Sequence, residues 1–286
     1  MTDFETDVTF LVANDEALDI QSRNGSCELL CFRVSIMTFE FIKPDPTVLD
    51  PLQAEHALLD LAARGRTVAQ LWEAPKSLVV PRSYLRYPEF ESARSAFLRG
   101  GCPVWLRMSG GGLVPQGPGI LNLSLAYFVA QQPSKMSDAV YLHLCEVIGS
   151  ALRVIGVTTH HQAVDGSFCD GRFNLAWGAS TDARKIAGTA QYWRRAPAAM
   201  RTSDGQGHLV LAHAVLLVSA DPDEANQRAN AFEEAVGSGR RYEANKIVTV
   251  QQALGGAVSG SESVMTTVLA AIKDSLTGIP LPRNTQ

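Results

Sequence analysis

Cys169, in the phrase GSFCDGRFNL, and Lys185, in RKIAGTAQ, are the two side chains whose types and spacing could do covalent chemistry together. A cysteine thiolate accepts an acyl group from a thioester at little cost, and a neighbouring ammonium lowers the thiol pKa from its free value of about 8.5 and then handles protons. The pair reads as one acyl-transfer site. Neither residue is informative alone, so the elements that bring them together decide the reading.

A third feature belongs with them. Ser109, Gly110, Gly111, Gly112, Gly117 and Gly119 fall in the short stretch SGGGLVPQGPG, with Arg107 just ahead. Glycines permit unusual backbone angles and close approach, so successive N–H groups can point at one carboxyl, acyl or phosphate oxygen. A flexible hairpin connection is the plainer alternative. No Gly-Lys-Ser/Thr follows, so it is not a P-loop, and the spacing does not fit a dinucleotide fingerprint.

The surrounding punctuation predicts the scaffold. Asp50-Pro51-Leu52-Gln53 supplies an N-cap, a proline at the first helical position and a capping-box glutamine, with Leu58 and Leu61 on one face and Gly65 as a stop. TVAQLWE and SLVV read as a pair of short strands across Ala74-Pro75, and a helix opening at Pro88 ends at Gly100-Gly101. Strand-like VWLRM leads into the glycine loop, and LNLSLAYFVA is strand again, with Leu121, Leu123 and Leu125 on one face. A helix is expected from about Ser137 to Ala151, with Cys145 on its apolar stripe as a core thiol. Four strand-like segments follow (VTTHHQAV, FNLAWG, GTAQYWRR and HLVLAHAVLLVS), then a helix begun by Asp221-Pro222-Asp223-Glu224 and a last one from Ser263 to Leu276. Consecutive strands with helices at intervals imply an α+β domain with a mixed, largely antiparallel sheet.

Composition narrows the class. Of 286 residues 46% are hydrophobic and 19% charged, which suits a globular protein, and the net charge of −4 gives no global reason to expect nucleic acid or an anionic membrane as partner. The five cysteines are odd in number and lack a paired CxxC pattern, so neither a disulfide framework nor a metal site is expected. The acidic start MTDFETDVTF is unlike a signal peptide, and no stretch reaches the ~18 apolar residues of a membrane span, so the expected location is the cytosol. Residues 1–36 have no clear period and read as an N-terminal extension, with the catalytic domain over residues 37–286.

LRMSGGGLVPQGPGILNLSL resembles the biotin/lipoate protein ligase and octanoyltransferase superfamily, whose members carry an arginine, a Ser/Gly-Gly-Gly loop and a Gly-x-Leu-Asn strand. GRFNLAWGASTDARKIAGTAQ resembles the same superfamily's Lys-Ile-x-Gly-x-Ala-Gln element, with Lys185 at the lysine position, and the two motifs occur in the same order. The resemblance implies the catalytic fold shared by class II aminoacyl-tRNA synthetases and biotin ligases. It implies substrate-binding or oxyanion roles for Arg107, Ser109, Gly110, Gly111, Gly112, Asn122, Gly188 and Ala190.

Within that superfamily, ligases make an acyl-adenylate from ATP and Mg²⁺ and need no cysteine, whereas transferases pass an octanoyl or lipoyl group through an acyl-cysteine. SFCDGRFNL resembles the transferase segment that carries the nucleophile, which favours transfer through Cys169 with no permanently bound cofactor. The expected partners are lipoyl carrier domains: the glycine-cleavage H protein, the acyltransferase subunits of 2-oxoacid dehydrogenases, and an acyl carrier protein as a further donor. In the ligase alternative Arg172 and Asn174 serve a nucleotide or acyl head group; a non-catalytic accessory relative is the third reading. Lys185 is expected to lose its proton readily through burial and repulsion from Arg184.

An eight-carbon chain needs an apolar slot, for which Leu113, Val114, Leu78 and Val80, with Trp72 at the edge, are candidates; core packing explains each equally well. His161 lies within reach of the cysteine loop, although a solvent-facing strand position is the plainer reading. His208 and His213 fall on opposite faces of one strand and make no metal pair. Arg82, Arg86, Arg94, Arg99, Arg194, Arg195 and Arg201 are candidates for a face that docks an acidic carrier, or for an ordinary solvated surface.

Overall fold

A computed structural model describes residues 39–45, 47–48, 50–255 and 260–282. The expected extension over residues 1–36 lies outside the described residues. In chain order the elements are β1 (Glu40–Phe41), α1 (Pro51–Ala62), β2 (Val68–Glu73), β3 (Ser77–Pro81), α2 (Phe90–Arg99), β4 (Val104–Arg107), β5 (Val114–Gln116) and β6 (Ile120–Val129). They continue with α3 (Pro133–Val154), β7 (His160–His161), β8 (Leu175–Trp177), β9 (Arg184–Arg195), β10 (His208–Leu217), α4 (Pro222–Ala235), α5 (Val250–Ala253) and α6 (Ser261–Gly278).

Seven strands form a sheet in the order β1-β2-β6-β10-β9-β8-β7, antiparallel throughout except for β1 beside β2. A second sheet, β4-β3-β5, stands apart, with β4 parallel and β5 antiparallel to β3. The architecture is the α+β arrangement expected. TVAQLWE and SLVV are both strands but not partners: β2 joins the large sheet and β3 the small one. Pro75 between them has no N–H with which to continue a ladder. The glycine stretch is more ordered than a loop, because its Val114–Gln116 pairs with β3 as β5.

Local chemistry explains the helix starts. The Asp50 carboxylate accepts the Leu52 N–H at 2.9 Å, with Pro51 at the first position, and Gln53 contributes its backbone N–H to the Asp50 carbonyl at 3.1 Å rather than a capping-box side chain. Asp221 likewise accepts the N–H groups of Asp223 and Glu224. α3 begins earlier than the periodicity predicted, at Pro133, where the missing N–H costs nothing. No described helix is long and apolar enough to cross a membrane.

The period-2 alternation of β6 sorts its side chains to two different environments. Leu121, Leu123, Leu125 and Tyr127 pack with Val140, Leu144 and Ile148 of α3 and with Val268 and Ile272 of α6. On the other face Ala126 joins Leu58 and Leu59 of α1 in one small core, while Ile120 joins Leu78, Phe90 and Phe232 in another, beneath the small sheet. Between those two cores, on the same face, lie Asn122 and Ser124, opposite Val215 and His213 of β10. That gap is where the polar residues collect.

Candidate active site

Arg107 closes β4 and is buried, 4% exposed. Its guanidinium donates to the carbonyl oxygens of Val79 (3.1 Å), Gly110 (2.9 Å) and Gly112 (2.6 Å), so it fastens the glycine loop to the small sheet. The same Nη2 lies 3.7 Å from the Cys169 Sγ, and the Gly112 N–H points at that sulfur from 3.3 Å. Gly111 takes a φ of +104°, and a Cβ there would stand 2.7 Å from Sγ. Glycine is therefore required at position 111 both by the backbone angle and by the thiol that occupies the space.

Cys169 has a φ of +48°, the only left-handed residue other than glycine among those described. Such a conformation costs a non-glycine residue ~1–3 kcal/mol and persists only where surrounding contacts impose it. Here Lys185 imposes it. Nearly inaccessible at 1% exposure, its Nζ donates to the carbonyl oxygens of Phe168 (2.6 Å) and Cys169 (2.9 Å), holding the cysteine loop from below. Gly188 makes this possible, since a Cβ at that position would sit 2.9 Å from Nζ. Asn174 braces the same loop by donating to the Asp170 carboxylate at 3.0 Å.

The electrostatics follow from these contacts. Burial pushes the Cys169 thiol up, but Arg107, Lys185 and the Gly112 N–H together outweigh it and hold the thiol below its ordinary value. Burial brings Lys185 down to about 8, against the attraction of Cys169 and Asp170, with Arg107 adding repulsion. The repelling charge is thus Arg107 and not Arg184, whose guanidinium stacks on the Trp177 ring at 4.7 Å.

Cys169 and Lys185 share the wall of a cavity of about 540 Å³ on the α1 face of the sheet, with Trp72, Val79, Val114 and Val215 supplying apolar surface and Gly188 and Ala190 its floor. Val114 and Trp72 therefore line it as expected. Leu113, Leu78 and Val80 do not; they are buried in the core beneath the small sheet, and Val79, of opposite parity on β3, faces the cavity instead. Asn122 lines the cavity while exchanging two side-chain hydrogen bonds with Gln116, at 3.0 and 2.8 Å, which tie β5 to β6.

One group in this wall escaped the sequence reading. The Ser109 hydroxyl is 2.6 Å from His213 Nε2, His213 Nδ1 is 3.3 Å from a Glu55 carboxylate oxygen, and the other Glu55 oxygen accepts the Met108 N–H. His213 was expected only to face away from His208; the available signal was its shared parity with Val215. Two other candidates lie elsewhere. Arg172 is exposed, paired with Asp138 and stacked on Phe173 at 4.4 Å, and His161 stacks on the same ring; neither lines a cavity with Cys169.

A constrained, electrostatically activated thiol thus stands beside a buried lysine in the wall of one cavity. Comparisons with known proteins identify the family. Residues 47–273 match the family model of the lipoyl protein ligase A/B catalytic domain, and the chain belongs to that family. It is 66% identical over 252 residues to an uncharacterized protein of Cupriavidus necator, covering 86% of this chain and all of that one. It is 35% identical over 174 residues to an octanoyl-[GcvH]:protein N-octanoyltransferase of Kyrpidia tusciae, covering 61% of this chain and 58% of that one. In fold it is similar to the bipartite lipoate protein ligase of Thermoplasma acidophilum (TM-score 0.52, 16% identity, 84% of each chain) and to a lipoate-protein ligase A bound with ATP (TM-score 0.50, 14% identity, 84% of each chain).

Proposed function

We propose that this protein is a cysteine-dependent acyltransferase that moves an octanoyl or lipoyl group through an acyl-Cys169 intermediate onto the target lysine of a lipoyl carrier domain. The observation that carries this reading is the Cys169 thiol itself: left-handed backbone, Arg107 Nη2 at 3.7 Å, Gly112 N–H at 3.3 Å, and a lysine beneath it. An adenylate-forming ligase has no use for such a thiol. The similarity to the Kyrpidia octanoyltransferase supports the same reaction class, and its name supports a lipoyl carrier as partner.

In the first step the Cys169 thiolate attacks the donor carbonyl, with the acyl chain lying along Trp72, Val79, Val114 and Val215. At about 0.8 kcal/mol per buried methylene, six or seven methylenes supply most of the binding free energy. The Gly112 N–H, already directed at the sulfur, is the backbone donor placed to hold the oxyanion that forms on the adjoining carbonyl. In the second step the acceptor amine displaces the thiolate, and Lys185, brought down to about 8, takes up the proton that the amine releases.

Incubation with an octanoyl thioester and a lipoyl carrier domain, without ATP, tests the proposal. The expected product is octanoylated carrier, absent with Cys169→Ala. Transfer that depends on ATP and octanoate, with pyrophosphate released and no adduct on the protein, would instead establish the ligase reaction. Activity under neither condition would leave the accessory reading.

A further inference from the structure

Cys169 is not at the end of one cavity but in the partition between two. The second, of about 720 Å³, shares only Cys169 with the first and is lined by Gly111, Gly112, Asp165, Asp170, Arg240, Arg241 and Tyr242. Its chemistry differs from that of the acyl cavity. No aliphatic side chain lines it, Asp165 and Asp170 stand on either side of Cys169 in the chain, and two arginines complete the lining.

This cavity is held in a fixed shape. Tyr242 and Tyr84 both donate to Glu233, which is completely buried, at 2.6 and 2.5 Å, and Arg240 donates to the Tyr84 hydroxyl at 2.8 Å while lying over its ring. The Glu243 N–H donates to the Gly166 carbonyl at 2.8 Å, joining the Asp165 loop to the arginine segment. Arg241 is exposed and has no side-chain partner among the described residues. Arg194, one of the arginines that the sequence offered for docking, is committed to Asp60 and the Leu59 carbonyl.

In the tetrahedral intermediate the acyl carbon carries the acyl chain, the oxyanion, the Cys169 sulfur and the donor or acceptor atom, so the chain and the arm that delivers or accepts it diverge from one centre. With the acyl chain in the apolar cavity, the arm that delivers or accepts it reaches the sulfur through the other. We infer that this second cavity receives a lysine side chain presented from an acidic protein surface, with Asp165 and Asp170 drawing the ammonium in and Arg240 and Arg241 pairing with carboxylates around that lysine. The inference rests on the proposed acyl-cysteine chemistry and assigns its partner side.

The placement of charge is consistent along the path. A lysine ammonium meets carboxylates first and then, at the sulfur, the positive Arg107, which favours loss of its proton to solvent. The neutral amine then attacks the acyl carbon. A C–N bond forms, the C–S bond breaks, the electron pair returns to the Cys169 sulfur, and the proton released by nitrogen passes to Lys185, which is neutral at that stage because acylation has removed the thiolate charge that held its proton. Because the chain has a net charge of −4, an acidic partner is repelled on average, so a local pair of arginines decides where it docks.

Acyl-Cys169 enzyme, prepared with a small octanoyl thioester, provides the test through its rate of deacylation. Three acceptors are compared: an acidic lipoyl carrier domain, a short uncharged peptide containing one lysine, and the neutral thiol mercaptoethanol. Arg241→Glu is expected to slow the carrier at least about tenfold, to weaken its salt dependence, and to leave the thiol unchanged. Asp165→Asn is expected to slow the lysine peptide severalfold without affecting the thiol, and Arg240→Gln serves as a milder second variant on the arginine side.

Equal slowing of all three acceptors, or none, would overturn the inference. So would slowing confined to acylation by a phosphopantetheine thioester, which would assign the cavity to that arm. If no acyl-enzyme forms in the unsubstituted protein, the proposed function has failed before this question arises.

Discussion

Cys145 and Cys169 are the same side chain in opposite surroundings. Cys145 lies between α3 and the large sheet, where its thiol finds only the Phe173 carbonyl at 3.4 Å and burial pushes it up to about 12. Cys169, on the cysteine loop beside the other face of the sheet, also pays for burial but gains Arg107, Lys185 and an aimed N–H, and ends below its ordinary value. Burial alone makes a thiol inert. Burial together with fixed positive groups makes it a nucleophile, because the low-dielectric setting that penalises an isolated charge also strengthens its pairing.

The histidines repeat the contrast. His143, on the Cys145 side, has no partner for either ring nitrogen among the described residues and stacks on Phe39; burial brings it down to about 4. His213, on the active side, sits between Ser109 and Glu55. One face of the sheet is built to exclude polar function, the other to connect it.

The sharpest way to break this comparison is to remove the charge that separates the two thiols. Lys185→Met is expected to slow acyl transfer about 10²-fold and to move the alkylation profile of Cys169 to higher pH, toward that of an ordinary thiol. An unmoved profile would assign the activation to Arg107 alone. A smaller effect, about tenfold, is expected of Gly111→Ala, whose methyl would enter the space of the sulfur at a backbone angle unsuited to alanine. Circular dichroism should be unchanged, which separates displacement of the thiol from unfolding.

On the inert face the expected effect is on stability and not on rate. His143 is lowered in the folded protein, from 6.5 to about 4, so the unfolded chain binds the proton more readily within that window. Stability is therefore complete above pH 6.5 and falls as the pH drops toward 4, by up to about 3 kcal/mol. Urea midpoints between pH 7 and pH 4 measure the slope, and His143→Leu should flatten it. An equally steep slope in that variant would trace the acid loss to other groups.

Much of this was legible in the sequence wherever the determinant is local. The Asp-Pro starts of α1 and α4 and the alternation along β6 each reside in one short segment, and the elements form there. The Cys169–Lys185 pair was legible because both residues lie in phrases that keep their order. What escaped detection depends on distant segments meeting. The three-stranded sheet joins β3 to β4 and β5 across α2, so SLVV could not reveal its partner, and β5 is too short to announce itself among five glycines. Ser109, His213 and Glu55 come from a loop, a strand and a helix that only the fold unites. Arg107, expected to bind substrate, lines the cavity and also fastens three backbone carbonyls and reaches the Cys169 sulfur, a positioning use that its sequence neighbours do not signal.

Whether Cys169 carries the acyl group is read by intact mass with peptide mapping after exposure to an octanoyl thioester. A single adduct of about 126 Da is expected on the peptide containing Cys169, lost in Cys169→Ala and discharged by a lipoyl carrier domain. An adduct on Cys145, or transfer to the carrier at full rate by Cys169→Ala, would contradict it.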